Sequence, residues 1–138
     1  MQLFEIKEDT NEEIQIEIGE EEILLPVHLC FAKLEKTADF IINKSSDVAQ
    51  LDFDKLRFPL TLRHWRHGDR FCPLGMKGSK LLSDFFVDQK FTEYQKQNVW
   101  LLVSAEGDIL WVVGYRIDEH FKIVNDTKTV FQCRWNRS

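Results

Sequence analysis

The sequence predicts an α+β fold, mostly antiparallel strands with two short helices, as one domain over residues 1–138. Three observations carry this. Apolar and polar residues alternate with period two in the first third; helical spacing is confined to two stretches after residue 79; and the last third returns to short apolar runs separated by turn residues. A chain of 138 residues, 43% apolar and 12% aromatic, is long enough for one core and short for two. Six Gly and three Pro exclude a collagenous or low-complexity chain, and eleven Phe with four Trp exclude a solvated tail.

In chain order, Phe4 and Ile6 alternate with Glu5 and Lys7, and Ile14, Ile16 and Ile18 alternate with Gln15 and Glu17. The turn-forming Glu8-Asp9-Thr10-Asn11 lies between them, so a hairpin with an acidic outer face is expected. Residues 23–34 continue as one or two extended pieces through Pro26. Short strands are expected at Ile41-Ile42 and over 48–53, with a loop at Asn43-Lys44-Ser45-Ser46. A strand over 60–63 leads into a basic loop that Pro73, Gly75 and Gly78 keep irregular. Ser79 is expected to cap a helix ending near Gln89, with Leu81, Leu82, Phe85 and Phe86 on one face. Thr92 with Gln95 three residues on is a capping-box pattern, predicting a second helix over about 92–97. Residues 100–104 and 109–113 flank the turn Ala105-Glu106-Gly107-Asp108, and a final strand over 129–135 follows the Asn125-Asp126 turn.

The net charge of −5 hides a division. Residues 1–56 carry 14 acidic and 5 basic side chains, a balance of −9, whereas residues 57–138 carry 9 acidic and 13 basic, a balance of +4. All seven arginines fall in the second part, and from Arg57 to Lys80 six cationic residues face the single Asp69. No apolar run approaches the roughly 18 residues that span a bilayer, and the first residues form neither a basic leader nor an apolar stretch. No membrane partner is expected. Cys30, Cys72 and Cys133 are odd in number and lack C-x-x-C spacing, which suits reduced thiols in the cytoplasm.

The richest span runs from Leu62 to Lys90, LRHWRHGDRFCPLGMKGSKLLSDFFVDQK. Arg63, Arg66 and Arg70 fall within eight residues, and each guanidinium is a planar fork that matches phosphate oxygens. Lys77, Lys80 and Lys90 add ammonium groups around the expected helix, whose first N–H groups favour an anion. The spacing G-x-x-G-S-K is not that of a nucleoside-triphosphate loop. The plain alternative is that the arginines pair with Asp69, Asp84 and Asp88 and only tie loop to helix; Arg70 beside Asp69 is expected to be structural. His64, His67 and Cys72 lack the fourth ligand of a closed zinc site. Trp65 suits packing better than base stacking. Asp84 and Asp88 suit a salt-bridged helix face better than a divalent ion. Asp118, Glu119 and His120, read as strand neighbours pointing to opposite faces, are poor partners for acid/base work, and no catalytic residues are assigned.

Leu62, Arg63, Arg66, Gly68, Asp69, Arg70, Phe71, Pro73, Leu74, Gly75, Met76, Gly78, Lys80, Leu82, Asp84, Phe85, Phe86 and Asp88, followed by Trp111-Val112-Val113-Gly114-Tyr115-Arg116-Ile117-Asp118, resemble the C-terminal domain of tRNA(Ile)-lysidine synthetase. The resemblance covers about residues 50–135. The chain departs from the family pattern in having one lysine at Ser79-Lys80-Leu81, and Lys96 where many members carry arginine. The resemblance implies a fold related to a domain of the phenylalanyl-tRNA synthetase β chain. It further implies a piece of a larger cytoplasmic enzyme whose N-terminal catalytic domain, absent from this chain, uses ATP and Mg to join lysine to C2 of the wobble cytidine of tRNA(Ile) with a CAU anticodon. The implied partners are tRNA(Ile) and that catalytic domain, with a homodimer possible through the parent, and no cofactor is expected in this chain. The residues assigned to RNA are Arg63, Arg66, Arg70, Lys77, Lys80 and Lys90, with the acidic first third facing away. The competing reading is a docking module that touches no RNA.

Overall fold

The computed structural model describes residues 12–137. The elements are, in order, β1 (Glu13–Ile16), β2 (Glu22–Ile23), β3 (Leu29–Glu35), β4 (Val48–Asp52), β5 (Leu60–Arg63), β6 (Arg70–Phe71), β7 (Lys80–Leu81), α1 (Leu82–Asp88), α2 (Glu93–Asn98), β8 (Leu101–Val103), β9 (Ile109–Val112), β10 (Arg116–Ile117) and β11 (Thr129–Trp135). Short 3₁₀ turns follow β4 and β10. The expected strand at Phe4 and Ile6 and the turn through Asn11 lie outside the described residues.

Three sheets form. A five-stranded sheet has the order β1-β5-β8-β9-β10, a four-stranded sheet the order β2-β3-β11-β4, and β6 pairs with β7 alone. Every ladder is antiparallel. The five-stranded sheet is the middle layer. Leu60, Leu62 and Leu102 on one face pack with Leu29, Leu51 and Phe131 of the four-stranded sheet. Leu101, Val103, Ile109 and Val112 on the other face pack with Phe71, Leu82, Phe85 and Phe86 of β6 and α1. Burial on both faces explains why 101–103 and 109–112 read as continuous apolar runs, while β1, at the sheet edge, keeps its alternation. Gly114, at φ +87°, admits the Trp135 ring, since a Cβ there would lie 2.6 Å from it.

Several local expectations are met: β5, β8, β9 and β11 lie where the apolar runs place them, and α2 carries its capping box, with Gln95 N–H donating to Thr92 Oγ1 at 3.1 Å. Two are corrected. Ile41 and Ile42 form no strand, and Ile41 is 84% exposed, since among the described residues no neighbouring strand offers them a ladder. Ser79 does not cap α1. Its hydroxyl accepts from Arg70 Nε at 2.8 Å, Lys80 and Leu81 enter the β6–β7 ladder, and the helix starts at Leu82, whose N–H donates to the Asp69 carbonyl at 2.9 Å. Strand pairing to Arg70 and Phe71 wins over local capping there.

Because Leu102 is fully buried between two layers, Leu102→Ala is expected to lower unfolding free energy by about 2–5 kcal/mol. Ile41→Ala at the exposed site is expected to change it by no more than about 0.5 kcal/mol. Urea titration of both variants checks the difference.

Candidate nucleic-acid interface

The basic segment is built on the end of β5. Arg63 turns inward and is only 8% exposed, and its guanidinium grips Asp69 through both nitrogens, at 2.9 and 3.1 Å. Asp69 also accepts the Arg66 N–H at 2.7 Å, while its own N–H closes a turn onto the Arg66 carbonyl at 3.0 Å. Gly68 takes φ +95° in that turn, a conformation glycine adopts without steric cost. The structural arginine is therefore Arg63. Arg70, expected in that role, instead reaches Ser79, its Nε to the hydroxyl and Nη2 to the carbonyl at 3.3 Å. Arg63 is unsuited to an external phosphate, because its fork is filled and buried.

A second set of contacts pins the loop between β6 and β7. The buried Asp118 carboxylate accepts the Cys72 N–H at 2.9 Å and the His120 N–H at 2.7 Å, and the His120 ring lies 3.0 Å from the same oxygen. Glu119 accepts the Gly75 N–H at 2.8 Å and pairs with Lys122. These contacts hold the Glu119 carboxyl below the usual carboxylate range, the Lys122 hydrogen bond being the largest cause and the Gly75 N–H the next. Backbone bonds from Leu74 N–H to the Ile117 carbonyl, 3.0 Å, and from Glu119 N–H to the Cys72 carbonyl, 2.7 Å, complete the attachment. Residues 119–121 form a 3₁₀ turn, not the strand expected there, with Asp118 as its N-cap. Both Asp118 oxygens are thus engaged by fold contacts.

The remaining cations differ in their partners. Arg66 is exposed but meets Glu13 of β1, so the acidic first third does not wholly face away. Lys80 runs along α1 to Asp88. Lys77 and Lys90 are exposed and, among the described residues, meet no carboxylate within ion-pair reach, and Arg70 contacts only Ser79. Lys90 sits just past α1 at φ +59°. Its N–H donates to Val87 and the Phe91 N–H to Phe86, with the Phe86 and Phe91 rings stacked at 4.6 Å, a Schellman motif whose left-handed position normally belongs to glycine.

Other candidate groups have structural partners. Trp65 Nε1 donates to the Lys96 carbonyl at 3.1 Å and its ring meets Phe86 edge-on, so the indole packs α2 onto α1. His64 stacks on Trp100 at 3.8 Å with Nδ1 2.9 Å from the Val99 carbonyl, and the Cys72 thiol reaches the Met76 carbonyl at 3.3 Å. Among the described residues His64, His67 and Cys72 do not converge as metal ligands. Desolvation raises the Cys72 thiol above its ordinary pKa, with Asp118 and Glu119 adding to the effect. The roles of Glu13, Asp118 and Glu119 escape sequence reasoning, because each depends on a contact made 44 or more residues away.

Two layers of antiparallel sheet, with a cationic hairpin and short helices on the outer face of the middle sheet, define a class of α+β domain with solved members. The crystal structure of a TilS C-terminal domain superposes with a TM-score of 0.73 at 22% identity, covering 92% of this chain and 100% of that one. An N-terminal fragment of the phenylalanyl-tRNA synthetase β-subunit from Pyrococcus horikoshii gives 0.55 at 26% identity, over 62% of this chain and 27% of the other. The chain belongs to the TilS substrate C-terminal domain family, whose model matches residues 60–135. The tRNA(Ile)-lysidine synthase of Parabacteroides distasonis is 53% identical over 105 residues, 76% of this chain and 24% of that protein. The tRNA(Ile)-lysidine synthase of Bacteroides thetaiotaomicron is 40% identical over 111 residues, 80% of this chain and 26% of that protein. The chain spans about a quarter of the length of these curated relatives.

Asp69→Ala strands the buried Arg63 charge and is expected to cost about 3–5 kcal/mol in urea unfolding. For Glu119 the folded pKa lies below the unfolded one, so its contribution is present above the ordinary glutamate range and is lost as pH falls through the folded value. Stability measured down an acid series should therefore decline less steeply in Glu119→Gln than in the parent chain.

Proposed function

We propose that the β6–β7 hairpin and the C-terminal end of α1 form a phosphate-gripping surface for tRNA, with Arg70, Lys77 and Lys90 as the principal contacts. Arg66 and Lys80 join them by exchanging an exposed carboxylate for a phosphate, an exchange that costs little because exposed ion pairs are worth about 0–1 kcal/mol. Arg63 is the positioning residue for this surface. One observation carries the reading: three exposed cations lie without carboxylate partners, among the described residues, on a rigidly pinned loop and helix end of a chain whose net charge is −5. Protein surfaces ordinarily scatter such charges among acids; a localised unpaired set favours a polyanion.

The family and the curated relatives support assigning this surface to a tRNA(Ile)-lysidine synthase. In this reading the parent enzyme ligates lysine to C2 of the wobble cytidine of tRNA(Ile) bearing the CAU anticodon. ATP and Mg belong to its catalytic region, in the part of the relatives that this chain does not span. The chain contributes recognition, bound to its own catalytic domain, in a cytoplasmic enzyme that can act as a homodimer. Phosphate contacts set the register of the RNA, and base identity is left to edge or shape readout.

Filter binding of tRNA(Ile) over a salt series tests this. Each of Arg70→Ala and Lys77→Ala is expected to reduce the slope of log affinity against log salt by about 0.7 to 0.9. Lys90→Gly is expected to do the same while stabilising the fold by about 1 kcal/mol, because it relieves the left-handed lysine. Glu13→Gln, which releases Arg66, should strengthen binding. Unchanged slopes in all three cation variants would reject RNA contact here and leave a docking module.

A further inference from the structure

A second group of chemically active side chains lies on the four-stranded sheet, away from the cationic hairpin. His28 and Cys30 are two residues apart where the chain enters β3, so both side chains project from the same face. Glu22 of β2 is the register partner of Cys30, directly across the ladder. The strand geometry alone therefore brings a carboxylate, an imidazole and a thiol together. His28 Nε2 lies 2.9 Å from Glu22 Oε1 and 3.5 Å from Cys30 Sγ, and the three ligand atoms all fall within 4.8 Å of one another.

We propose that Glu22, His28 and Cys30 bind a zinc-class divalent cation. Tetrahedral zinc holds imidazole nitrogen at about 2.0–2.1 Å and thiolate sulfur at about 2.3 Å, which puts nitrogen and sulfur about 3.5 Å apart. The nitrogen–sulfur separation already matches, while the Glu22 carboxylate must draw back from Nε2, from 2.9 Å to about 3.4 Å, as the ion replaces the shared proton. Thiolate and carboxylate together neutralise the dication, and the Cys30 proton leaves to solvent as the metal enters. Sulfur and imidazole donors favour zinc over magnesium or calcium, which take oxygen. The Asn136 amide nitrogen Nδ2 lies 3.1 Å from His28 Nδ1, and the Asn136 backbone N–H donates to the His28 carbonyl at 2.9 Å. Metal binding therefore requires the Asn136 amide to rotate so that its oxygen accepts the Nδ1 proton, which moves the imidazole to the tautomer whose Nε2 lone pair meets the ion. The Glu22 side chain is 54% exposed and that of His28 32%, so the ion can enter, and three protein ligands leave a fourth position open. Bound there, the cation would clip the two-residue β2 to β3 and fix the loop over 24–27.

Titration of the 138-residue chain with Co²⁺ as a spectroscopic probe decides the matter. The expected result is one equivalent bound, with tetrahedral d–d absorption and a near-ultraviolet thiolate-to-cobalt band, both displaced by Zn²⁺. Cys30→Ser should lose the thiolate band, Glu22→Gln should keep it with affinity reduced about tenfold or more, and Cys72→Ser should change nothing. Absence of a thiolate band in the parent chain overturns the site, as does a band that survives in Cys30→Ser. Should Cys30→Ser disturb the far-ultraviolet circular dichroism, His28→Gln replaces it, and one-equivalent binding retained in that variant overturns the site equally.

Discussion

Arg63 and Asp69 meet where the middle sheet ends, and the shape of the cationic hairpin follows from their contact. A guanidinium this deeply buried is tolerable only if its charge and its donors are answered, and Asp69 answers both with a two-point grip. One of the same two oxygens, Oδ2, also accepts the Arg66 N–H, and the Asp69 backbone carbonyl takes the first amide of α1. One acidic residue thus links strand, turn and helix. Trp65 packs the entry to the turn on Phe86, and this polar anchor fixes residues 66–69 beyond it.

The far side of the hairpin is anchored by the same kind of chemistry. Asp118 and Glu119 bind loop amides, and Lys122 balances the second of them. With both ends tied, Arg70 and Lys77 stand on backbone already held in place, and in the proposed reading this preorganisation lowers the entropic cost of gripping a phosphate. Lys90 shows the opposite trade. A glycine would suit its left-handed backbone better, and the chain instead keeps an ammonium group at that position.

Legibility from sequence follows the range of the forces involved. The β8 and β9 strands, the α2 capping box and the 129–135 strand are written in patterns a few residues long, and all four are found. Ser79 shows where local pattern misleads: its capping chemistry is real, yet the β6–β7 ladder and the Arg70 side chain claim it first. The cationic segment is visible as composition, but which arginine is internal is not, since Asp69 is adjacent to Arg70 in sequence and opposite Arg63 in space. Glu13 meets Arg66 across 53 residues, and no window-based reading could pair them.

The strand order carries one more consequence. β11 lies between β3 and β4, and β5 is bordered by β1, so the acidic first third supplies neighbours to strands of the basic remainder on both sheets. Residues 60–135, the stretch that the family model matches, would by themselves leave β11 with two bare edges and the middle sheet without Leu29, Phe31, Ala49 and Leu51 over one face. The charge boundary near residue 56 therefore runs through the middle of one packed core and its ladders, not between two separate ones.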